Sequence, residues 1–228
     1  MAGAVSFHPQ LVGLLKAGRA GASTISNLRT LARLMAETKP GRTLEIGLGA
    51  GASALLFAAY HQEAAHPPQS HVAIDPYQLS PTAFNSAGLR ELEEAGLASF
   101  VSHHNGLSSL ELPKLIDESA AFDLIYIDGS HLFEDVFVDA YFSLHLLNDG
   151  GVMLFDDSAA HQVLKVVRFV RNNMRSCLME VDLSAYRDAS PYLYRIARAL
   201  GRLQLTAFRR VGPKDRDWQE WTTRLRRF

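Results

Sequence analysis

The sequence predicts a doubly wound α/β fold, with a mostly parallel seven-stranded sheet and helices on both of its faces. Three features carry this expectation. Five short apolar runs alternate with segments of helical periodicity between residues 43 and 172, and serial strand-helix units of this kind build parallel sheets through right-handed crossovers. The first run ends in the glycine-rich turn Gly47-Leu48-Gly49-Ala50-Gly51. The fourth, Phe122-Asp123-Leu124-Ile125-Tyr126-Ile127, is nearly all apolar, as expected of a central strand covered on both faces.

Taken in order, residues 1–40 read as an N-terminal helical segment. Within it Ile25, Leu28, Leu31, Ala32 and Met35 recur at helical spacing across residues 23–36, and Pro40-Gly41 closes the helix. Residues 43–47 form strand one, and the alanine- and leucine-rich residues 52–60 the helix after its turn. Residues 71–75 and 99–103 read as strands two and three, followed by helices over 84–95 and 108–117 respectively. After strand four, residues 133–147 carry Val136, Ala140, Leu144 and Leu147 on one helical face, and Gly150-Gly151 is the expected terminator. Residues 152–155 make strand five. The helix over 162–172 places Val163, Val166, Val167 and Val170 inward and Lys165, Arg168 and Arg171 outward. Weaker patterns give a sixth strand at 178–183, a short helix at 191–200 and a seventh strand at 203–210. The main domain is thereby expected over 41–212, with a basic tail at 213–228.

At 228 residues and 47% apolar content, the chain is sized for one large domain with a substantial core, which excludes disordered and fibrous classes. A formal net charge of -1 supplies no global field suited to nucleic acid. The local excess of Arg209, Arg210, Lys214, Arg216, Arg224, Arg226 and Arg227 reads as a solvated end. No run approaches the roughly 18 apolar residues of a membrane span, so no membrane partner and a cytoplasmic location are expected. Cys177 is the single cysteine; it excludes an internal disulfide and a cysteine-based zinc cluster, and it reads as buried filler. A homo-oligomer stays open.

In open α/β sheets, ligands bind outside the carboxyl ends of the strands. Strand one ends in Glu45-Ile46-Gly47-Leu48-Gly49-Ala50-Gly51-Ala52-Ser53, where glycines let the main chain approach a ligand closely. Strand two ends in Asp75, a carboxylate able to accept both hydroxyls of a ribose. The glycines also match a dinucleotide fingerprint, but Glu45 places a carboxylate where a pyrophosphate would be repelled and a sulfonium with an ammonium group tolerated. Asp128 follows strand four, and Asp156 and Asp157 follow strand five. Adjacent strand ends lie about 5 Å apart, so these carboxylates need compensation, which a divalent cation such as Mg²⁺ supplies. His131, three residues after Asp128, is the best general-base candidate. His161 is a weaker one, and His103 and His104 read as strand-end residues. Glu134 and Asp135 suit a helix N-terminus, and Asp139 reads as structural.

The ordered set of Glu45-x-Gly47-x-Gly49-x-Gly51, Asp75, Gly106-Leu107-Ser108, Asp128-Gly129-Ser130-His131 and Gly150-Gly151 through Asp156-Asp157 resembles class I S-adenosylmethionine-dependent methyltransferases. Within them it resembles the small-molecule O-methyltransferase branch related to catechol O-methyltransferase. The resemblance covers about residues 24–172. It implies a Rossmann-like fold, S-adenosylmethionine as cofactor, and methylation of a hydroxyl on a small-molecule acceptor. It further implies that Gly47, Gly49 and Gly51 line the methionine moiety with Glu45 beside them, and that Ser53 hydrogen-bonds its carboxylate. Asp75 would hold the ribose, Tyr77 pack near it, and Gly106, Leu107 and Ser108 border the adenine. Asp128 would serve cofactor and acceptor alike, and Asp128, His131 and Asp156 would carry catalysis. Asp128, Asp156 and Asp157 match the metal positions of the catechol type, whose third residue is Asn, so Asp157 departs from that pattern. Two alternatives remain: an NAD(P)-dependent oxidoreductase, and a non-catalytic binding module that keeps the methyltransferase fold.

Overall fold

The computed structural model describes residues 6–17, 23–188, 190–215 and 224–228. The part of the expected basic tail at 216–223 lies outside the described residues. Helices α1 (Pro9–Ala17) and α2 (Ile25–Thr38) precede β1 (Thr43–Ile46) and α3 (Ala52–Glu63). There follow β2 (His71–Ile74), α4 (Ala87–Glu94), β3 (Val101–His104), α5 (Ser108–Asp117), β4 (Phe122–Ile127), α6 (Phe133–Leu146), β5 (Leu147–Phe155) and α7 (His161–Asn173). The chain then forms β6 (Leu178–Val181), α8 (Pro191–Ala199) and β7 (Thr206–Arg210). All seven strands make one sheet in the order β3-β2-β1-β4-β5-β7-β6. The first five are parallel, and β7 runs antiparallel to both of its neighbours. Among the described residues, no helix is long and apolar enough to cross a membrane.

Alternation along each strand splits the apolar residues between the two faces. Leu124 and Leu154 pack with Phe57 of α3 and with Leu11, Leu28 and Leu31 of α1 and α2. Ile125 and Met153 pack with Val136 of α6 and Val166 of α7. The two N-terminal helices therefore share a core with the sheet. Helix α2 starts where it does because the Thr24 side chain accepts the Asn27 amide, satisfying one of the donors that a helix start leaves open. Cys177 is buried, as expected of a small apolar filler.

Strands β3, β6 and β7 and helix α4 differ by a few residues at their ends from the sequence reading, and the largest difference lies between α6 and β5. Gly150-Gly151 does not end α6: the helix stops at Leu146, and β5 begins at once at Leu147. Phe122 pairs with Leu147, yet Leu124 pairs with Val152, so the intervening residues of β5 bulge out of the ladder. Gly150 takes a φ of 74°, a conformation glycine adopts without steric penalty, and it marks the bulge rather than a helix end.

Asp139 of α6 is buried, and its carboxyl is pushed up to about 7, chiefly by burial, with Asp135 adding to the rise and the Ser108 hydroxyl opposing it. A raised carboxyl keeps its proton in the folded chain after the unfolded chain has lost it. Its contribution to stability therefore falls as pH climbs from the usual carboxylate range towards 7. Asp139→Asn is expected to stabilise the fold by roughly 1 to 3 kcal/mol at pH 8 and hardly at all near pH 4. Thermal unfolding at the two pH values checks this, and an equal effect at both would contradict it.

Candidate active site

The site begins with strand register. Ile46, Ile74, Ile127 and Phe155 stand level across β2, β1, β4 and β5. The backbone ladder continues one residue further: Gly47 N donates to Ile74 O, Asp128 N to Ile46 O, and Asp156 N to Ile127 O. Gly47, Asp75, Asp128 and Asp156 thus form a row along the carboxyl edge. All four line a cavity of about 710 Å³, together with Gly49, Ser53, Tyr77, Leu107, Ser108, His131 and Asp157.

On the β1–β3 side the glycine turn is held by Asp75. Its Oδ2 accepts from the amides of Leu48 (3.1 Å) and Gly49 (2.9 Å), and its Oδ1 accepts from Tyr77 N at 2.7 Å. Gln78, fully buried, donates to Gly49 O at 2.7 Å and braces the same turn. Gly47 has a φ of 94°, and a Cβ there would fall 2.3 Å from the Asp128 carbonyl oxygen, so only glycine lets β1 and β4 end this close together.

On the β4–β5 side the carboxylates are met by α2. Ser23 donates to Asp128 Oδ2 at 3.1 Å, Tyr126 OH donates to Asp156 Oδ2, and Asn27 Nδ2 and Asp157 N donate to Asp156 Oδ1. Burial, with Asp156 next, pushes the Asp128 carboxyl well above the usual carboxylate range. Asp156 is raised as well, chiefly by burial, against the lowering effect of the bond from Tyr126. His131 Nε2 lies 3.3 Å from Asp157 Oδ2, both side chains about half exposed. One ligand atom each from Asp128, His131 and Asp157 falls within 4.8 Å of the others.

Three expectations change. Glu45 does not face the cavity. Two residues ahead of Gly47, it points under α3, fully buried, with Oε1 3.2 Å from His71 Nε2, and it acts on Asp128 only through its field. Gly51 and Gly106 shape their turns but do not line the cavity. In the expected metal set of Asp128, Asp156 and Asp157, both oxygens of Asp156 already accept hydrogen bonds, and His131 takes its place in the converging trio. The sequence reading also missed Ser23, Thr24, Asn27 and Phe84 as cavity residues. Asn27 had a legible signal: it occupies an inward position on the same stripe as Leu31 and Leu34, where a polar side chain needs a partner.

A glycine turn beside an acidic row at the carboxyl edge of a doubly wound sheet defines a small-molecule site of the nucleotide-cofactor class. Residues 44–158 match the family model described as a methyltransferase domain, and the chain belongs to that family. Comparison with curated protein sequences gives no match. Among solved structures, the O-methyltransferase TomG from Streptomyces achromogenes, involved in tomaymycin synthesis and determined with S-adenosylmethionine, superposes with a TM-score of 0.67 at 22% identity, over 91% of this chain and 92% of that one. An O-methyltransferase from Bacillus cereus in complex with S-adenosylhomocysteine gives 0.66 at 15%, over 91% and 92%. The Podospora anserina methyltransferase PaMTH1, bound to S-adenosylhomocysteine, gives 0.59 at 18%, over 89% and 88%. These likenesses establish the fold.

Gly47→Ala forces a side chain into the left-handed region and against the Asp128 carbonyl. It is expected to lower the unfolding free energy by roughly 1 to 3 kcal/mol, read by denaturant titration. A wild-type midpoint would show that the strand ends do not meet as described.

Proposed function

We propose that the protein transfers the methyl group of S-adenosylmethionine to a hydroxyl oxygen of a small-molecule acceptor. The observation that carries this reading is the row of Gly47, Asp75, Asp128 and Asp156 lining one cavity. The cavity wall is acidic, which favours a cofactor with a sulfonium and an ammonium group over one with a pyrophosphate. This argues against the nicotinamide alternative, and O-methyltransferases among the structural neighbours, TomG and the Bacillus cereus enzyme among them, support oxygen as the methylated atom.

Gly47, Gly49 and Ser53 bind the methionine end, Asp75 takes the ribose on the lone pairs its amide bonds leave free, and Tyr77, Leu107 and Ser108 surround the base. The acceptor hydroxyl attacks the methyl carbon as the carbon–sulfur bond breaks, giving a thioether and a methyl ether. The hydroxyl proton passes to His131, oriented by Asp157. The protein's task is to align oxygen, carbon and sulfur and to keep that base within reach. A second reading rests on the converging ligand atoms of Asp128, His131 and Asp157. Two carboxylates and an imidazole fit a divalent cation, and bound there it would supply a lowered pKa at the acceptor oxygen.

Asp75→Ala is expected to weaken S-adenosylhomocysteine binding by roughly 1 to 3 kcal/mol, because it removes charge-assisted acceptors; unchanged affinity in calorimetry would take Asp75 out of the cofactor site. His131→Ala is expected to lower kcat by about 10²- to 10⁴-fold if His131 is the base, in an assay that also includes EDTA. Activity insensitive to EDTA supports the base. Activity abolished by EDTA and restored by a divalent ion makes His131 a ligand instead.

A further inference from the structure

Helix α8 carries an apolar face that no other element covers among the described residues. Its start is well defined: the Ser190 hydroxyl accepts from Tyr192 N at 3.3 Å, and Pro191 occupies the first turn. On the inward side Tyr194 is buried in one core cluster with Leu183, Leu203 and Leu205, and its hydroxyl oxygen accepts from Leu183 N at 3.2 Å. On the outward side Tyr192, Leu193, Ile196 and Leu200 are 71%, 58%, 40% and 59% exposed. Residues four and eight apart stand above one another on a helix, so Tyr192, Ile196 and Leu200 form a row with Leu193 beside it. The result is one continuous apolar patch, which marks an interaction surface where scattered single residues would not.

The rim of this face is basic. Arg195 and Arg202 are exposed and form no ion pair among the described residues. The Arg168 guanidinium sits beside Gly201 at the helix end, 3.2 Å from where a Cβ would stand. Nearby carboxylates are outnumbered: Glu180 is bridged by both Arg171 and Arg198, and Asp182, held low chiefly by the Ser184 amide, also feels Arg195 and Arg198. An apolar helix face inside a positive rim complements an anionic bilayer, whose headgroup boundary admits the apolar side chains while its phosphates meet the arginines. A second copy of this chain fits less well. In a two-fold pair α8 would lie against α8, bringing Arg195 and Arg202 of both copies together. Four side chains also fall short of the roughly 800 Å² that each partner of a stable complex buries.

We infer that α8 docks the protein peripherally on an anionic lipid surface, with Tyr192, Leu193, Ile196 and Leu200 entering the headgroup boundary and Arg195 and Arg202 pairing with lipid phosphates. The sequence reading excluded a membrane partner on the lack of a spanning run, but lying on a surface needs only one amphipathic face. The chain leaving α8 passes the cavity: Gln204 O accepts from Ser158 N, one residue beyond Asp157. A surface that holds α8 therefore lies beside the acceptor side of the site.

The test is co-flotation of the full chain with vesicles of phosphatidylcholine alone and of equimolar phosphatidylcholine and phosphatidylglycerol, with sedimentation velocity of the lipid-free protein alongside. Binding to the mixed vesicles and little to the neutral ones is expected. Arg195→Gln combined with Arg202→Gln is expected to lower the partition constant by about 10- to 30-fold, and Leu193→Ser combined with Leu200→Ser by about 10-fold. Both pairs are exposed, so thermal unfolding midpoints are expected to stay at the wild-type value; if either variant fails to fold, the wild-type comparison of the two vesicle compositions still decides. Absence of binding to the mixed vesicles overturns the inference, as does equal binding to both compositions. Binding that the arginine pair weakens and the leucine pair leaves unchanged also overturns it, because α8 then inserts nothing. A dimer that the leucine pair dissolves, in protein that does not bind vesicles, overturns it in favour of a second copy on this face.

Discussion

Level registration of β2, β1, β4 and β5 is the constraint from which the site follows. Four neighbouring strands end at the same height, so the residues just beyond them have to share one cavity. In this chain three of those four residues are aspartates, and burial in a low-dielectric wall makes their mutual repulsion expensive. The carboxyls of Asp128 and Asp156 are raised chiefly by burial, with Asp156 adding to the rise at Asp128 and Asp157 to that at Asp156.

The rest of the molecule answers that crowding locally. Helix α2 brings Ser23 to Asp128 and Asn27 to Asp156, and Tyr126 reaches Asp156 from within β4. Asp75 turns its charge onto the amides of the glycine turn. Behind the row, a polar chain links His71, Thr43, His61 and His66, with His71 Nδ1 and His61 Nε2 both at the Thr43 hydroxyl, and Glu45 Oε1 lies 3.2 Å from His71 Nε2. Burial lowers His61 to about 3, so it stays neutral and serves as a hydrogen-bonding link rather than a charge. The N-terminal helices are therefore part of the site as well as of the core.

The parallel half of the fold was legible because its signals are local: a nearly apolar β4, a glycine turn after β1, and valines in step along α7. The carboxyl-edge aspartates followed from the same reading, since position at a strand end is fixed once the strand is. Directions of side chains were less accessible. Glu45 lies two residues before Gly47, and only the pleat decides that it turns under α3 towards His71 rather than to the cavity. Asp156 could be placed at the edge from sequence, but its capture by Tyr126 and Asn27 joins residues 30 and 129 positions apart, and no local pattern encodes such a pairing. Gly150-Gly151 misled for a related reason, because a glycine pair signals an unusual backbone without saying whether it is a helix end or a bulge.

The central claim is that the acidic carboxyl edge receives a sulfonium nucleoside. Calorimetric titration of the purified protein with S-adenosylhomocysteine, alongside NAD, tests it most directly. Saturable one-site binding of S-adenosylhomocysteine and none of NAD is expected. Binding of NAD with no binding of S-adenosylhomocysteine would contradict it.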